Sequence, residues 1–271
     1  MHFSVLMSLY IKEHASYFEE CLLSVLSQTV TPDEIVIVLD GPISNEVNMV
    51  LEKYISKDPE KFIIIPLEKN QGLGISLAKG VLACSNELIA RMDTDDVAVR
   101  NRFELQLKEF EKNPNLDICG SSIIEFEGNI NHIVAKRKVP LTDSDIKEYQ
   151  KRRDSFNHMT VMFKKSSVLK AGNYQPCPLM EDSLLWAHMI QSGAVCMNIE
   201  QPLVYARIGK DMFERRGGLS YFQKYKAGRK KILKTGFLSK KDYYITLIIQ
   251  FIVCILPNRI RGFVFKKILH N

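Results

Sequence analysis

Three carboxylates fall within four residues at Asp93-Thr94-Asp95-Asp96, directly after the apolar run Leu88-Ile89-Ala90-Arg91-Met92. Acids this close repel one another unless a cation sits among them, and ligands of open α/β sheets bind at the carboxyl ends of strands. The run is therefore a candidate metal site. Hard oxygen ligands that leave places for phosphate oxygens suit Mg2+ or Mn2+, which can bridge a diphosphate and neutralise it. The competing reading is a loop whose aspartates cap the next helix or face solvent, and it bears most on Asp96.

Other residues invite chemistry less directly. His158 follows Arg152-Arg153 and stands where it can approach phosphates or an acceptor, although a lone histidine is more often structural. Arg215-Arg216-Gly217-Gly218 offers two cationic forks beside a flexible hinge, suited to gripping a diphosphate, or else forms a solvated loop. Gly72-Leu73-Gly74 has the start of a dinucleotide fingerprint, but Leu77 occupies the place of its third small residue and the segment follows the third strand. A nicotinamide site is rejected.

The elements that hold these residues follow from the apolar pattern. Short, nearly continuous apolar runs alternate with helix-period segments, as in a mostly parallel sheet covered on both faces. Strands are expected at 3–9, 34–39, 62–67, 88–92 and 118–126, with Pro66 marking a strand end or a sheet edge. Helices are expected with Phe18, Leu22, Val25 and Leu26 on one face, then with Val47, Leu51 and Tyr54, then over 73–83, and then with Phe103, Leu107 and Phe110. Residues 142–157 are polar and charged and are read as a loop or helical excursion over the site. Strands near 159–163, 195–199 and 204–208 and a helix near 183–192 follow, and beyond Gly217-Gly218 the chain reads as wholly helical.

The 271 residues carry a net charge of +6, but the sign is split. Residues 207–271 hold 16 Lys/Arg against 3 Asp/Glu, leaving 21 basic and 28 acidic residues before them. The basicity thus belongs to the tail. Six cysteines are scattered without a C-x-x-C pair, so neither zinc nor a disulfide framework is indicated. The amino terminus lacks the basic start and cleavage site of a secretory signal, and a cytoplasmic setting is expected.

Taken in order, several segments resemble the family 2 glycosyltransferases of GT-A fold. Arg91-Met92-Asp93-Thr94-Asp95-Asp96 with Asn101-Arg102-Phe103-Glu104 is similar to the family's acidic signature, and residues 4–10 and 21–29 to its first strand and helix. Residues 34–41 resemble its nucleotide-binding strand and turn, Asn70-Gln71-Gly72-Leu73-Gly74 its Asn-x-Gly loop, and 158–163 and 180–186 its later segments. The likeness spans at least residues 3–208. It implies a GT-A catalytic domain over 1–210, an open and mostly parallel nucleotide-binding sheet flanked by helices, and a basic helical appendage over 211–271.

The resemblance also implies roles. Asp40 would accept a hydrogen bond from uracil, with Ser8, Tyr10, Asn70 and Gly72 lining the nucleotide pocket. Asp95 would be the direct ligand of Mn2+ or Mg2+, and Asp93 would help hold the metal or the ribose. Displacing a diphosphate from a sugar needs a base for the acceptor hydroxyl, a role that the resemblance gives to Asp182, and Glu181, His158 and Asp96 are expected near the substrates. The expected reaction is inverting transfer from a nucleoside-diphosphate sugar, with UDP as the expected nucleotide, to a glycan hydroxyl on a polyprenyl-diphosphate carrier.

Residues 243–256 are apolar for fourteen residues, short of the roughly 20 needed to span a bilayer. Lys240-Lys241 precede them and Arg259, Arg261, Lys266 and Lys267 follow, so the tail is expected to lie on the anionic inner face of the cell membrane, or to pack as a helix on the catalytic domain. No nucleic-acid partner is expected. Two other functions share the site chemistry. A sugar nucleotidyltransferase needs a Gly-rich loop near the first strand, which is absent, and a membrane-bound nucleotide-sugar binder would lack turnover.

Overall fold

The computed structural model describes residues 1–209, 217–257 and 261. Arg215 and Arg216 lie outside them. Strand β1 (Phe3–Leu9), helix α1 (Ala15–Leu26), β2 (Glu34–Leu39), α2 (Asn45–Ile55), β3 (Phe62–Pro66), α3 (Leu73–Ala83) and β4 (Leu88–Arg91) form the first half. These strands run parallel in the order β3-β2-β1-β4. The edge strand β3 ends at Pro66, where a missing N–H removes no ladder bond.

Both faces of this sheet are covered, which is why its strands read as unbroken apolar runs. Phe3, Val5, Met7 and Leu9 pack with Phe18, Leu22 and Val25 of α1 and Val47 and Leu51 of α2. Leu6, Val36 and Val38 point the other way, onto Leu77 and Val81 of α3. The order reverses between β1 and β4, so a crevice opens at their carboxyl ends, where open α/β sheets bind ligands. Ser8 stands at the first end and Asp93 follows the second.

The second half is mixed. It comprises β5 (Val97–Ala98), α4 (Arg102–Lys112), β6 (Leu116–Phe126), β7 (Ile133–Arg137), α5 (Asp143–Gln150), β8 (Met162–Lys164), α6 (Lys165–Lys170), α7 (Glu181–Gln191) and β9 (Val195–Arg207). Strand β8 bridges β4 and β6 with antiparallel pairing, while β6 and β9 run parallel. The two strands expected at 195–199 and 204–208 are one, because β9 continues across a register shift opposite Ser121 and Ile123. The strand expected from 159 begins late. Residues His158–Thr160 form a 3-10 turn in which Thr160 Oγ1 accepts the Ser121 N–H at 2.9 Å and donates to the Asn157 carbonyl at 2.8 Å, replacing ladder bonds with side-chain bonds.

Helices α8 (Gly218–Lys234) and α9 (Lys240–Ile255) complete the described chain. Ile232 of α8 and Leu238 pack with Met180, Leu184 and Ala187 beside and on α7, so the appendage is docked. Ser239 caps α9 by accepting the Asp242 N–H at 3.0 Å. Tyr243, Leu247 and Cys254 of α9 face inward. Tyr244, Ile248, Phe251, Ile252 and Ile255 form the opposite stripe and are exposed. Among the described residues no helix is long and apolar enough to cross a membrane.

Candidate active site

A cavity of about 810 Å³ occupies the crevice at the β1 and β4 ends. Ser8, Tyr10, Asp40, Asn70, Gly72, Asp93 and Asp95 all line it, so residues from four separate sequence segments converge there. Asp40 is buried, and its carboxylate clamps the following loop: Oδ1 accepts the Gln71 N–H at 2.6 Å and Oδ2 the Gly72 N–H at 3.0 Å. A carboxylate has about four lone-pair positions, so acceptor capacity remains for a base edge. Gly41 makes the clamp possible. Its φ is +86°, and a Cβ there would lie 2.6 Å from the Asn70 nitrogen.

The acidic motif is strained electrostatically. Burial, then the charges of Asp93 and Glu13, push the Asp95 carboxyl up to about 7. Burial and the Asp95 and Asp93 charges push Asp96 well above the carboxylate range. Asp93 pairs with the buried Arg91 guanidinium, and Thr94 donates its hydroxyl to Glu13. Arg102, also buried, donates Nη2 to the Arg91 carbonyl at 2.7 Å, which fixes the strand end from below.

These residues fit a divalent cation. Two cavity-facing carboxylates, one of them raised by burial and by its like-charged neighbours, are what a cation would relieve. Among the described residues no three His, Cys, Asp or Glu side chains converge as a metal cage. Asp95 and Asp93 would therefore share the ion with phosphate oxygens and water, the usual arrangement for Mg2+.

Asp96 is not among the residues lining this cavity, and its Oδ1 accepts the Arg207 backbone N–H at 2.7 Å, which ties the motif to the end of β9. Arg207 itself was not anticipated. Its Nε donates to the Asp95 carbonyl at 2.9 Å, its guanidinium lies 4.0 Å from the Tyr17 ring centroid and 4.5 Å from that of Phe126, and it pairs with Glu20. Glu13, His14 and Tyr17 also line the cavity. They precede or open α1 without any local motif, and only their position after the first strand could have pointed to them.

A second cavity of about 590 Å³ holds Asp182, the first-turn acid of α7. Burial and then the Asp154 charge push the Asp182 carboxyl up to about 8. Asp182 Oδ1 accepts its neighbour's N–H at 2.8 Å, and Asp154 accepts the Ser183 hydroxyl. Burial also raises Glu181, whose Oε2 is buried without a hydrogen-bond partner. His158 lines this cavity too. Its Nε2 lies 2.9 Å from the Tyr174 hydroxyl, and burial followed by the Arg91 charge holds it neutral. The charge of buried Arg91, paired with Asp93, also bears on His158.

The family model of glycosyl transferase family 2 matches residues 4–169. The chain belongs to that family. This glycosyltransferase is 36% identical over 269 residues to the amylovoran biosynthesis glycosyltransferase AmsE of Erwinia amylovora, covering 98% of each chain. It is also 36% identical over 272 residues to an Escherichia coli UDP-Gal:alpha-D-GlcNAc-diphosphoundecaprenol beta-1,3-galactosyltransferase, covering 99% of this chain and 97% of that one. The mannosyltransferase PcManGT of Pyrobaculum calidifontis, solved with GDP-Man and Mn2+, superposes with a TM-score of 0.64 at 13% identity, over 96% of this transferase and 71% of that chain. The fold of the transferase is GT-A, as the resemblance implied.

Proposed function

We propose that the transferase moves one sugar, with inversion, from a UDP-sugar to a hydroxyl of a polyprenyl-diphosphate-linked glycan, working peripherally at the inner face of the cell membrane. The observation that carries the reading is the pairing of two cavities. One is lined by Asp40, Leu73, Asp93 and Asp95 and the other holds Asp182, and neighbouring residues join their walls: a Cβ on Gly74, next to Leu73, would lie 3.2 Å from the Cβ of Glu181, next to Asp182. The UDP donor and diphosphate-lipid acceptor named for the E. coli relative support the substrate classes.

In this reading Asp40 receives the uracil edge, Ser8 and Tyr10 line the nucleoside, and Asn70 and Gly72 form the loop against it. Asp95 and Asp93 would hold Mn2+ or Mg2+, which when bound supplies positive charge to the departing diphosphate. The acceptor hydroxyl attacks the anomeric carbon opposite the leaving group. Asp182 takes its proton, the carbon–oxygen bond to the diphosphate breaks, and UDP departs. A base must be ionised to act, so the raised Asp182 carboxyl sets the pH at which the step becomes available.

The membrane part rests on α9. Its exposed stripe of Tyr244, Ile248, Phe251, Ile252 and Ile255 neighbours exposed Lys240 and Lys241, a pairing suited to an anionic interface. Titration of the full chain with UDP-, GDP- and dTDP-sugars, each with and without Mn2+ or Mg2+, tests the donor reading. UDP-sugars should bind only with metal. Failure of every nucleotide sugar under both metals would contradict it.

A further inference from the structure

The Asp182 cavity is far more basic than proton transfer requires. Arg137 from β7, Arg152 and Arg153 from the segment after α5, and Arg229 from α8 all line it. Arg229 is 3% exposed, and its Nη2 donates to the Lys151 carbonyl at 2.6 Å while its Nε has no partner. A buried guanidinium N–H is costly to leave unbonded, and Arg229 belongs to the cavity wall.

The surrounding elements are arranged to present these cations. Tyr221, Tyr225 and Arg229 recur every four residues, so one stripe of α8 forms a wall of the cavity. That wall approaches the catalytic helix closely: a Cβ on Gly228 would lie 2.7 Å from the Met180 sulfur, next to Glu181. Arg152 is steered by α9, whose Asp242 accepts from its Nε at 2.7 Å. Gln250 of α9 also lines the cavity, so the basic wall is continuous with the helix whose outer stripe is apolar and exposed.

We infer that this arginine-lined cavity binds the diphosphate of the acceptor, with Arg229, Arg137 and the Arg152–Arg153 pair as its ligands. The inference deepens the proposed function and rests on its lipid-linked acceptor. A diphosphate carries several anionic oxygens that guanidinium forks engage in paired hydrogen bonds. It sits between the sugar and the lipid chain, and the cavity is lined by Asp182 and by Gln250, on the inner face of α9 turned away from the apolar stripe. Holding the diphosphate there would bring the attached sugar to the base while its lipid stays in the interface. The tail would then help build the acceptor site as well as anchor the enzyme.

The test uses the full chain saturated with UDP and Mn2+, so that the donor cavity is filled. Geranyl diphosphate, geranyl monophosphate, geraniol and dihexanoyl phosphatidylglycerol are titrated in turn. Geranyl diphosphate should bind at least about 10-fold more tightly than the other three, as paired charge-assisted bonds imply. Arg229→Gln and Arg137→Gln should each weaken it by about 10-fold or more without changing UDP affinity. Arg137 is the less buried of the two and guards against misfolding of the Arg229 variant, whose melting curve is taken in parallel. Equal binding of geraniol, or unaltered geranyl diphosphate binding in folded variants, would overturn the inference. Phosphatidylglycerol binding as tightly and weakened in step would overturn it too, in favour of a phospholipid headgroup site. UDP affinity is measured first and separately, so failure of the donor reading is distinguished from failure of this one.

Discussion

The backbone N–H of Arg207, the last residue of β9, donates to Oδ1 of Asp96 at 2.7 Å, across 111 residues of chain. The Arg207 side chain then turns back to the Asp95 carbonyl at 2.9 Å and the Gly128 carbonyl at 2.8 Å. One residue therefore positions the acidic motif twice, through its backbone and its guanidinium.

Arg207→Ala should keep the Asp96 bond, which uses backbone, and lose the side-chain bond to Asp95. Donor affinity should fall by about 10-fold, the equivalent of ~1.4 kcal/mol. Arg207→Lys should not restore it, since an ammonium cannot fork between carbonyls and stack between Tyr17 and Phe126. Calorimetric titration of a UDP-sugar with Mn2+ checks both, and full rescue by lysine would reduce the role of Arg207 to its charge.

Asp95→Asn should act in opposite directions on stability and function. It removes a charge that burial, and then the Asp93 and Glu13 charges, disfavour enough to raise the group to about 7, so metal-free protein should melt at or above the wild-type temperature. The rise in melting temperature on adding Mn2+ with a UDP-sugar should disappear, because a ligand stabilises only the state that binds it. An unchanged Mn2+ response would remove Asp95 from the metal site.

Asp182 should impose a pH profile. Its carboxyl is raised to about 8, so below that pH it is protonated and cannot accept a proton, and above it the base is available. The rate of transfer at saturating substrates should climb as pH rises through about 8 and then level. Asp182→Asn should flatten the profile and slow transfer by about 10²-fold or more, with donor affinity kept. Near-normal transfer by this variant would move the base to Glu181.

Much of the fold could be read in advance because β1, β2 and β4 are buried on both faces and α1 to α4 carry clear apolar stripes. Strand β5 has two residues and β7 follows a polar loop, so neither leaves a pattern. Glu200-Gln201-Pro202 interrupts the apolar pattern of β9, so its two halves read as separate strands. The cavity residues next to recognisable motifs, Asp40, Asn70, Asp93, Asp95 and Asp182, were legible. Arg137, Arg207 and Arg229 were not, because each lies in an ordinary element and gains meaning only where β7, β9 and α8 meet the motifs.

The tail combines the two alternatives left open by its sequence, since one stripe of α9 packs inward and the other is exposed. Phe251→Asp with Ile252→Asp should abolish co-sedimentation with phosphatidylglycerol vesicles while UDP-sugar binding persists, because the donor cavity is built before residue 210. High salt should release the wild type only in part, since screening weakens charges and leaves apolar contact intact. Wild-type protein that ignores such vesicles at low salt would contradict the membrane reading.

Inverting transfer from a UDP-sugar is read in the products of a single reaction: the full chain, a UDP-sugar, Mn2+ and a diphosphate-lipid-linked sugar, followed by proton NMR of the new glycosidic bond. It predicts one UDP released per bond formed and an anomeric configuration opposite to that of the donor. Retained configuration, or release of inorganic diphosphate in place of UDP, would contradict it.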